Sequence, residues 1–218
     1  MPSALSGPSH PPANGDRPDR LVVLLHGYGA DGADLIGLAP FFARALPTAE
    51  FVAPNAPERC EMGFGYQWFG LRALDPVSIA AGVREAAPVL DSFVDDALAS
   101  RGLGPDRLAL VGFSQGAMMA LDRALRLPEG QRAIVGFSGM VASAIKSPVA
   151  AGSRPPILLI HGTADPVVPF ASLAGAEAVL AAAGFPVETM TRPGLGHGID
   201  REGAERAAAF LAGRLTLP

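Results

Sequence analysis

Short runs of apolar residues alternate along the 218-residue chain with longer segments whose apolar positions recur at helical spacing. A short apolar run bounded by glycine is typical of a strand that is covered on both faces. The longer segments are predicted to be helices whose apolar stripe faces the strands. Strands are predicted at 21–25, 51–53, 108–111, 133–137, 157–160 and 187–191, and helices at about 33–46, 77–100, 117–127, 171–183 and 200–214.

Strands that alternate with helices indicate the α/β class, with a mostly parallel sheet and helices on both faces. The chain is 49% hydrophobic, which suffices for one core, and we expect one domain over residues 20–218. Residues 1–19 are rich in Pro, Ser, Gly and Asn without an apolar period, so they are predicted to form a flexible tail. Pro88 is expected to kink or divide the helix at 77–100.

Composition and charge exclude several classes of function. The net charge is −4 and the isoelectric point about 5.5, without a basic cluster that would neutralise phosphates, so nucleic acid is not an expected partner. No run reaches the roughly 18 apolar residues of a spanning helix, and no signal peptide is apparent, so we expect no membrane insertion and a cytoplasmic location. Cys60 is the single cysteine, which excludes an internal disulfide, and its acidic neighbours make it a poor thiolate nucleophile.

The sequence Gly112-Phe113-Ser114-Gln115-Gly116 joins a predicted strand to a predicted helix. It matches the G-x-S-x-G nucleophile elbow, in which a strained turn exposes the serine hydroxyl at the carboxyl end of the sheet. The two glycines are expected to provide space where the strand folds back into the helix. The same five residues could form an ordinary strand-to-helix turn, so the interpretation depends on what lies at the neighbouring strand ends.

A glycine-rich loop at 26–32 follows the first predicted strand. In hydrolases with a nucleophile elbow, such a loop supplies one backbone N–H to the oxyanion hole, and the residue after the nucleophile supplies the other. Tyr28 and Gln115 are the predicted donors. His26 is expected to brace the loop through hydrogen bonds. The loop lacks the spacing of a nucleotide-binding motif.

A serine hydroxyl is a weak nucleophile near neutral pH, so it needs a base, and the base needs an acid that fixes its tautomer. His197 is the candidate base, since it lies between two glycines after the last predicted strand. Asp165 is the candidate acid, since it lies just past the strand at 157–160. The chain order Ser114, Asp165, His197 is the one expected of an α/β-hydrolase.

Other residues of the same types fit these roles less well. His161 precedes a glycine at the end of an inner strand, as His26 does. Ser138 lies in an incomplete copy of the elbow motif without a clear helix after it, and is interpreted as a strand-end serine. Asp200 resembles a helix N-cap, and Asp106 lies at the amino end of its strand.

The segment 54–74 carries aromatic residues among glycines at its centre. Trp68 and Phe69 would either line the site as a mobile apolar wall in contact with substrate, or fill an edge of the core. The sequence leaves both interpretations open. An apolar rim around Trp68 would also suit a second subunit, so a homodimer is one of the expected assemblies.

Five segments together resemble the phospholipase/carboxylesterase family, which includes acyl-protein thioesterases. They are His26-Gly27-Tyr28-Gly29, Gln67-Trp68-Phe69, Gly112-Phe113-Ser114-Gln115-Gly116, Asp165-Pro166-Val167-Val168-Pro169 and Gly196-His197. The likeness extends from about residue 21 to the C-terminus.

This resemblance implies an α/β-hydrolase fold without a large cap domain, a metal or another cofactor. It implies hydrolysis of carboxylic esters, lysophospholipids or S-acyl thioesters. The implied site residues are the triad Ser114, Asp165 and His197, the oxyanion donors Tyr28 and Gln115, and the substrate contacts Trp68, Phe69 and Val167. Tyr28 replaces a leucine often found in the thioesterase members, and Gly70 replaces an aspartate, so a small ester is the preferred substrate.

The expected function is therefore that of a serine carboxylesterase acting on short- to medium-chain esters through an acyl-enzyme. Lysophospholipid hydrolysis and protein thioester hydrolysis are the alternatives within the family. Acyl transfer to an alcohol or amine would use the same residues. A catalytically silent binding module on the same fold is disfavoured, because no member of the predicted triad is missing.

Overall fold

The computed structural model describes residues 5–71, 75–142 and 154–215. Most of the predicted loop between 138 and 156 lies outside these residues. The strands are β1 Ser9–His10, β2 Arg20–Leu25, β3 Ala49–Val52, β4 Glu58–Arg59, β5 Tyr66–Gln67, β6 Leu108–Phe113, β7 Ala133–Phe137, β8 Ile157–Gly162 and β9 Val187–Arg192. Seven of them form one sheet in the order β1-β3-β2-β6-β7-β8-β9. Only the β1–β3 pair is antiparallel, which confirms the predicted mostly parallel sheet.

Helices cover both faces of this sheet, as predicted. They are α1 Gly32–Ile36, α2 Ala39–Phe42, α3 Pro76–Ala99, α4 Gln115–Arg126, α5 Ala171–Ala182 and α6 Arg201–Leu215. Alternate residues of β2 enter different cores: Leu21 and Val23 pack with α3, α4 and α5, whereas Val22 and Leu24 pack with α1, α2 and α6. Because both faces are buried, the central strands β6 and β7 consist only of apolar residues and glycine.

The prediction of a flexible tail is wrong for the described residues 5–19. Ser9 and His10 form an edge strand opposite Val52 and Phe51. The Ala53 N–H also donates to the Pro8 carbonyl at 3.0 Å. Backbone pairing to a sheet edge needs no apolar period, so this strand left no signal in the hydrophobic pattern.

Two predicted helices differ from the structure. The segment predicted at 33–46 consists of α1 and α2, with Pro40 in the first turn of α2, where a missing N–H costs nothing. In contrast, α3 continues through Pro88 and is not divided there. Buried residues on both sides of Pro88, among them Val83 and Leu90, pack into the same core and hold the helix together.

The loops at the carboxyl ends of β2, β6, β8 and β9 share one edge of the sheet, because these strands are parallel and lie in one continuous order. In open α/β sheets, ligands bind at this edge. None of the helices in the described segments combines the length and the hydrophobicity that a membrane span requires.

Candidate active site

Ser114 joins β6 to α4 in a backbone conformation that few residues other than glycine adopt, with φ 52° and ψ −114°. Such a conformation costs roughly 1–3 kcal/mol and persists only where the surroundings impose it. The Ser114 N–H donates to the Phe137 carbonyl at 2.9 Å, and its carbonyl accepts from the Met118 N–H at 3.1 Å. These bonds hold the serine at the carboxyl edge of the sheet.

The two motif glycines leave the space that this turn requires. A Cβ atom at Gly112 would overlap the backbone of Gly116. A Cβ atom at Gly116 would overlap the carbonyl oxygen of Leu25, because α4 begins directly against β2. The predicted steric role of both glycines is confirmed.

Asp165 lies in the loop after β8, and its side chain is fully shielded from solvent. The backbone N–H groups of Val167 and Val168 donate to its Oδ1 at 2.8 and 2.9 Å. Burial alone would raise the pKa of this carboxyl, but hydrogen bonds from His197 and from the two N–H groups outweigh burial and lower the pKa below its ordinary value. The carboxylate is therefore ionised at neutral pH.

His197 connects Asp165 to Ser114. Its Nδ1 lies 2.7 Å from Asp165 Oδ2, and its Nε2 lies 3.0 Å from Ser114 Oγ. Because the carboxylate can only accept, Nδ1 carries a proton, and Nε2 is then free to accept the serine proton. The structure thus brings together the three residues that the sequence had selected.

The exit loops of β8 and β9 hold the histidine in this position by binding to each other. The Ala164 N–H donates to the Leu195 carbonyl at 3.0 Å, and the Gly194 N–H donates to Thr163 Oγ1 at 2.9 Å. A Cβ atom at Gly162 would overlap the Leu195 carbonyl. The two loops therefore pack backbone against backbone.

Phe113 is a supporting residue that the sequence interpretation missed. Its ring centroid lies 4.8 Å from that of His197, with an angle of 43° between the rings. It is the variable second position of the elbow motif, so its neighbourhood to the histidine carries no sequence signal. Contact with a flat apolar ring restricts the orientation of the imidazole.

The two predicted oxyanion donors lie on either side of the elbow. Gln115 is the first residue of α4, so its N–H has no acceptor within the helix. Tyr28 follows Gly27, and a Cβ atom added at Gly27 would lie 3.3 Å from Ser114 Cβ. The loop that carries Tyr28 therefore passes close to the elbow. Among the described residues, neither the Tyr28 N–H nor the Gln115 N–H donates to a protein acceptor. Both groups are therefore available to a ligand.

His26 braces the loop that carries Tyr28, as predicted. Its Nε2 accepts from the Ala56 N–H at 2.9 Å, so its Nδ1 carries the proton and donates to the Gly27 carbonyl at 2.7 Å. The Gly27 carbonyl and the Tyr28 N–H belong to one planar trans peptide and point in opposite directions. Burial lowers the pKa of His26, which keeps the ring neutral.

His161 has an equivalent place beside Asp165. Its ring is buried, and its Nε2 lies 2.9 Å from the Val168 carbonyl and 3.3 Å from Asp165 Oδ2. Within the part of the chain that the structure describes, it forms no hydrogen bond with Ser114. The sequence marked His161 only as an inner-strand histidine, and its contact with the acid was missed.

Trp68 and Phe69 belong to the core, which supports the second of the two interpretations that the sequence left open and speaks against their predicted contact with substrate. Trp68 is 1% exposed and Phe69 is 4% exposed, and both pack with α3. An added Cβ at Gly82 would overlap the Phe69 ring, because the helix passes directly over it. Val167, in contrast, is 58% exposed next to Asp165.

The exposed apolar side chains of this region lie at the turn between β4 and β5 instead. Met62 and Phe64 are 59% and 60% exposed. Both reach Gly29, where an added Cβ would lie 3.4 Å from Phe64 Cε2 and 3.9 Å from Met62 Sδ. An apolar surface therefore borders the loop that carries Tyr28.

The residues set aside from the sequence lie as follows. Ser138 directly follows β7 with a positive φ of 46°, and its buried Oγ has no partner among the described residues. Asp200 accepts from the Gly203 N–H at 2.9 Å and caps α6, as expected. Cys60 is buried. The pKa of the Tyr28 hydroxyl is raised to about 12, first by its own loss of solvent and then by its contacts with Cys60 and Glu61. Within the described residues, no group of three His, Cys, Asp or Glu side chains could hold a metal ion.

A parallel sheet with a strained serine elbow and with an acid and a histidine at the next strand exits defines an α/β-hydrolase. The model of the Phospholipase/Carboxylesterase family matches residues 12–215. The chain therefore belongs to this family of hydrolases, and the resemblance seen in the sequence is confirmed.

Individual relatives agree with this family. The crystal structure of esterase PE8 superimposes with a TM-score of 0.91 at 46% identity, covering 97% of this chain and 99% of that one. Esterase YpfH of Escherichia coli is 31% identical over 93% of this chain and 86% of its own length. Acyl-protein thioesterase 1 of Eremothecium gossypii is 30% identical over 88% of this chain and 87% of its own length.

Proposed function

We propose that the chain is a serine carboxylesterase that hydrolyses short- to medium-chain carboxylic esters through an acyl-enzyme intermediate. The observation that carries the proposal is the continuous hydrogen-bonded row from Asp165 through His197 to Ser114, with distances of 2.7 and 3.0 Å. Nucleophile, base and acid lie within hydrogen-bond reach of each other, which is the geometry that covalent catalysis by serine requires.

In the first step, Ser114 Oγ attacks the ester carbonyl carbon while His197 Nε2 takes the hydroxyl proton. The tetrahedral intermediate carries its negative charge on the former carbonyl oxygen, and the N–H groups of Tyr28 and Gln115 donate to that oxygen. His197 then gives its proton to the leaving alcohol oxygen as the carbon–oxygen bond breaks. The acyl group remains on Ser114.

In the second step, water attacks the acyl carbon and His197 takes a proton from it. The tetrahedral intermediate again places its oxyanion between Tyr28 and Gln115. Its collapse releases the carboxylic acid and returns the proton to Ser114 Oγ. Asp165 stays ionised throughout and stabilises the imidazolium that forms in both steps.

The apolar surface around the site supports an ester of modest size. Val167 on one side and Met62 and Phe64 on the other are exposed, whereas Trp68 and Phe69 are not. A small number of exposed apolar side chains suits a short or medium acyl chain. Similarity to an acyl-protein thioesterase favours thioester hydrolysis as the second candidate. The cytoplasmic location and the homodimer stay predictions of the sequence.

The test is the initial rate of hydrolysis of p-nitrophenyl esters from acetate to palmitate, together with an S-palmitoyl thioester, by the wild type and by Ser114→Ala. We expect a short- to medium-chain optimum and a loss of about 10⁴-fold or more in kcat for the variant. A long-chain or thioester optimum would replace the proposed substrate class with the second candidate. Equal turnover by Ser114→Ala would overturn the assigned nucleophile.

A further inference from the structure

The Gln115 side chain does not point to the reacting centre but connects two separate parts of the fold. It is 1% exposed, and both of its polar atoms have partners. Its Oε1 accepts from the Trp68 N–H at 2.8 Å, and its Nε2 donates to the Phe69 carbonyl at 2.7 Å. The first residue of α4 is thereby fixed to the chain that leaves β5.

Trp68 extends this connection to the loop after β2. Its indole Nε1–H donates to the His26 carbonyl at 3.0 Å. Its ring also lies against the His26 ring, with centroids 5.9 Å apart. His26 in turn donates to the Gly27 carbonyl at 2.7 Å, which orients the peptide that ends in the Tyr28 N–H.

One buried chain of hydrogen bonds therefore connects the two candidate oxyanion donors. At one end is the Gln115 N–H, whose own side chain forms the first of these bonds. At the other end is the Tyr28 N–H, which the His26 ring orients. Among the residues that the structure describes, Trp68 and His26 form no hydrogen bond with Ser114 or His197.

Such a connection would fix the distance between the two donors of the oxyanion hole. A donor stabilises the developing charge only if it lies about 2.7–3.1 Å from the oxyanion, and a shift of about 1 Å can cost about 100-fold in rate. The loop after β2 and the first turn of α4 are separate segments, so their spacing depends on what joins them.

We propose that Gln115 and Trp68 form a bridge, defined by these two side chains, that positions the Tyr28 and Gln115 N–H groups relative to each other in the transition state. The inference rests on the proposed function, because it needs an oxyanion intermediate on Ser114. Trp68 and the Gln115 side chain are positioning residues and do not touch the substrate. Loss of the bridge affects the transition state more than the bound substrate.

The test uses Gln115→Met, which keeps the side-chain length but removes both hydrogen bonds, and Trp68→Phe, which keeps an aromatic ring but removes the indole N–H. We expect kcat to fall about 10- to 100-fold for Gln115→Met and about 10-fold for Trp68→Phe, with KM within about threefold of the wild type. A trifluoromethyl ketone, whose serine adduct carries an oxyanion, should lose affinity by the same factor as kcat/KM.

Gln67→Met is the matched control. Gln67 is equally buried and also uses both amide atoms, but its partners, the Glu61 N–H at 3.0 Å and Glu58 Oε2 at 2.9 Å, lie within the β4–β5 hairpin. We expect this variant to keep kcat within about threefold of the wild type. An equal loss in Gln67→Met and Gln115→Met would show a general effect of the hairpin and overturn the bridge.

The outcomes separate the bridge from the proposed function. If the wild type hydrolyses no ester, or if Ser114→Ala keeps its rate, the proposed function fails and the bridge fails with it. If hydrolysis depends on Ser114 while Gln115→Met and Trp68→Phe keep the kcat of the wild type, with or without a higher KM, the bridge fails and the function stands. Should Gln115→Met not fold, as seen in its circular dichroism, Trp68→Phe decides by the same readouts.

Discussion

Two groups of residues flank the Ser114 hydroxyl, and they differ in which atoms they present to it. On one side, the side chains of His197 and Asp165 form a direct row of hydrogen bonds to the serine. On the other side, backbone N–H groups of Tyr28 and Gln115 are the candidate donors. A side chain can be removed by one substitution, whereas a backbone group can only be displaced. Catalysis should therefore depend on the identity of the side chains at His197 and Asp165, and on the placement of the backbone N–H groups of Tyr28 and Gln115.

Each side nevertheless has the same kind of support. A buried histidine ends the inner strand on each side and is followed by a glycine: His26 after β2 and His161 at the end of β8. His26 bonds to the peptide that carries an oxyanion donor, and His161 lies against the Asp165 carboxylate. The same dipeptide thus positions a backbone donor in one loop and an ionised side chain in the other.

The largest expected effect is on the base side. Asp165→Asn keeps the shape of the side chain but removes the charge that orients and stabilises His197, and we expect kcat to fall about 10³- to 10⁴-fold. Steady-state hydrolysis of a p-nitrophenyl ester measures this loss.

Asp200→Asn is the matched control for this carboxylate. Asp200 is close to His197 in sequence, but it caps α6 and binds Arg192, which lowers the pKa of its carboxyl. We expect kcat to change less than about threefold and thermal stability to fall slightly. Equal losses in the two variants would mean that Asp165 acts through the fold alone.

A smaller effect is expected from the two buried histidines, and the residue through which each acts should differ. His26→Phe releases the Gly27 peptide and should lower kcat about 10- to 100-fold. His161→Phe removes a contact of the Asp165 carboxylate, so its effect on kcat should disappear in the Asp165→Asn background, whereas the effect of His26→Phe should persist there. The kcat values of the single and double variants provide the measurement. Equal behaviour of the two histidine variants in that background would remove the distinction between the two sides.

The smallest expected effect concerns stability against pH. Burial holds the pKa of His26 below its ordinary value, so the unfolded chain binds a proton more readily than the folded chain. The free energy of unfolding therefore decreases as pH falls below about 6.5. His26→Phe removes this contribution and should show a weaker decrease than the wild type.

Urea unfolding at about pH 7.5 and about pH 5.5 measures the difference in free energy for each protein. Gln67→Met serves as the control, because it alters a buried side chain of the neighbouring hairpin and keeps the His26 ring. It should keep the pH dependence of the wild type. An unchanged pH dependence in His26→Phe would show that the folded and unfolded chains bind the His26 proton equally, which would contradict the lowered pKa.

The candidate triad was predictable because its signals are local. Ser114 lies in a five-residue motif, and Asp165 and His197 each lie in the loop that follows a predicted strand. Parallel strands bring their carboxyl ends to one edge, so the order of strands along the chain suffices to collect the three residues. The space left by Gly112 and Gly116 was predictable for the same reason.

The supporting contacts were not predictable, because their partners are distant along the chain. Trp68 is 47 residues from Gln115 along the chain. It lies in a segment rich in aromatic residues and glycine, and the sequence of such a segment does not show whether Trp68 is buried under α3 or exposed. Phe113 contacts His197 from a motif position that accepts many residue types. The edge strand β1 pairs through its backbone, which no side-chain pattern reports.

The α/β alternation, the elbow and the chain order of the serine, the acid and the histidine follow from the amino-acid sequence, because they depend on burial of neighbouring residues and on steric limits within a few peptides. The folded chain was needed to show which aromatic side chains are buried, how the Gln115 side chain is used, and what orients the Tyr28 peptide. Hydrogen bonds between separate segments depend on where folding places their donors and acceptors, and no local pattern reports that placement.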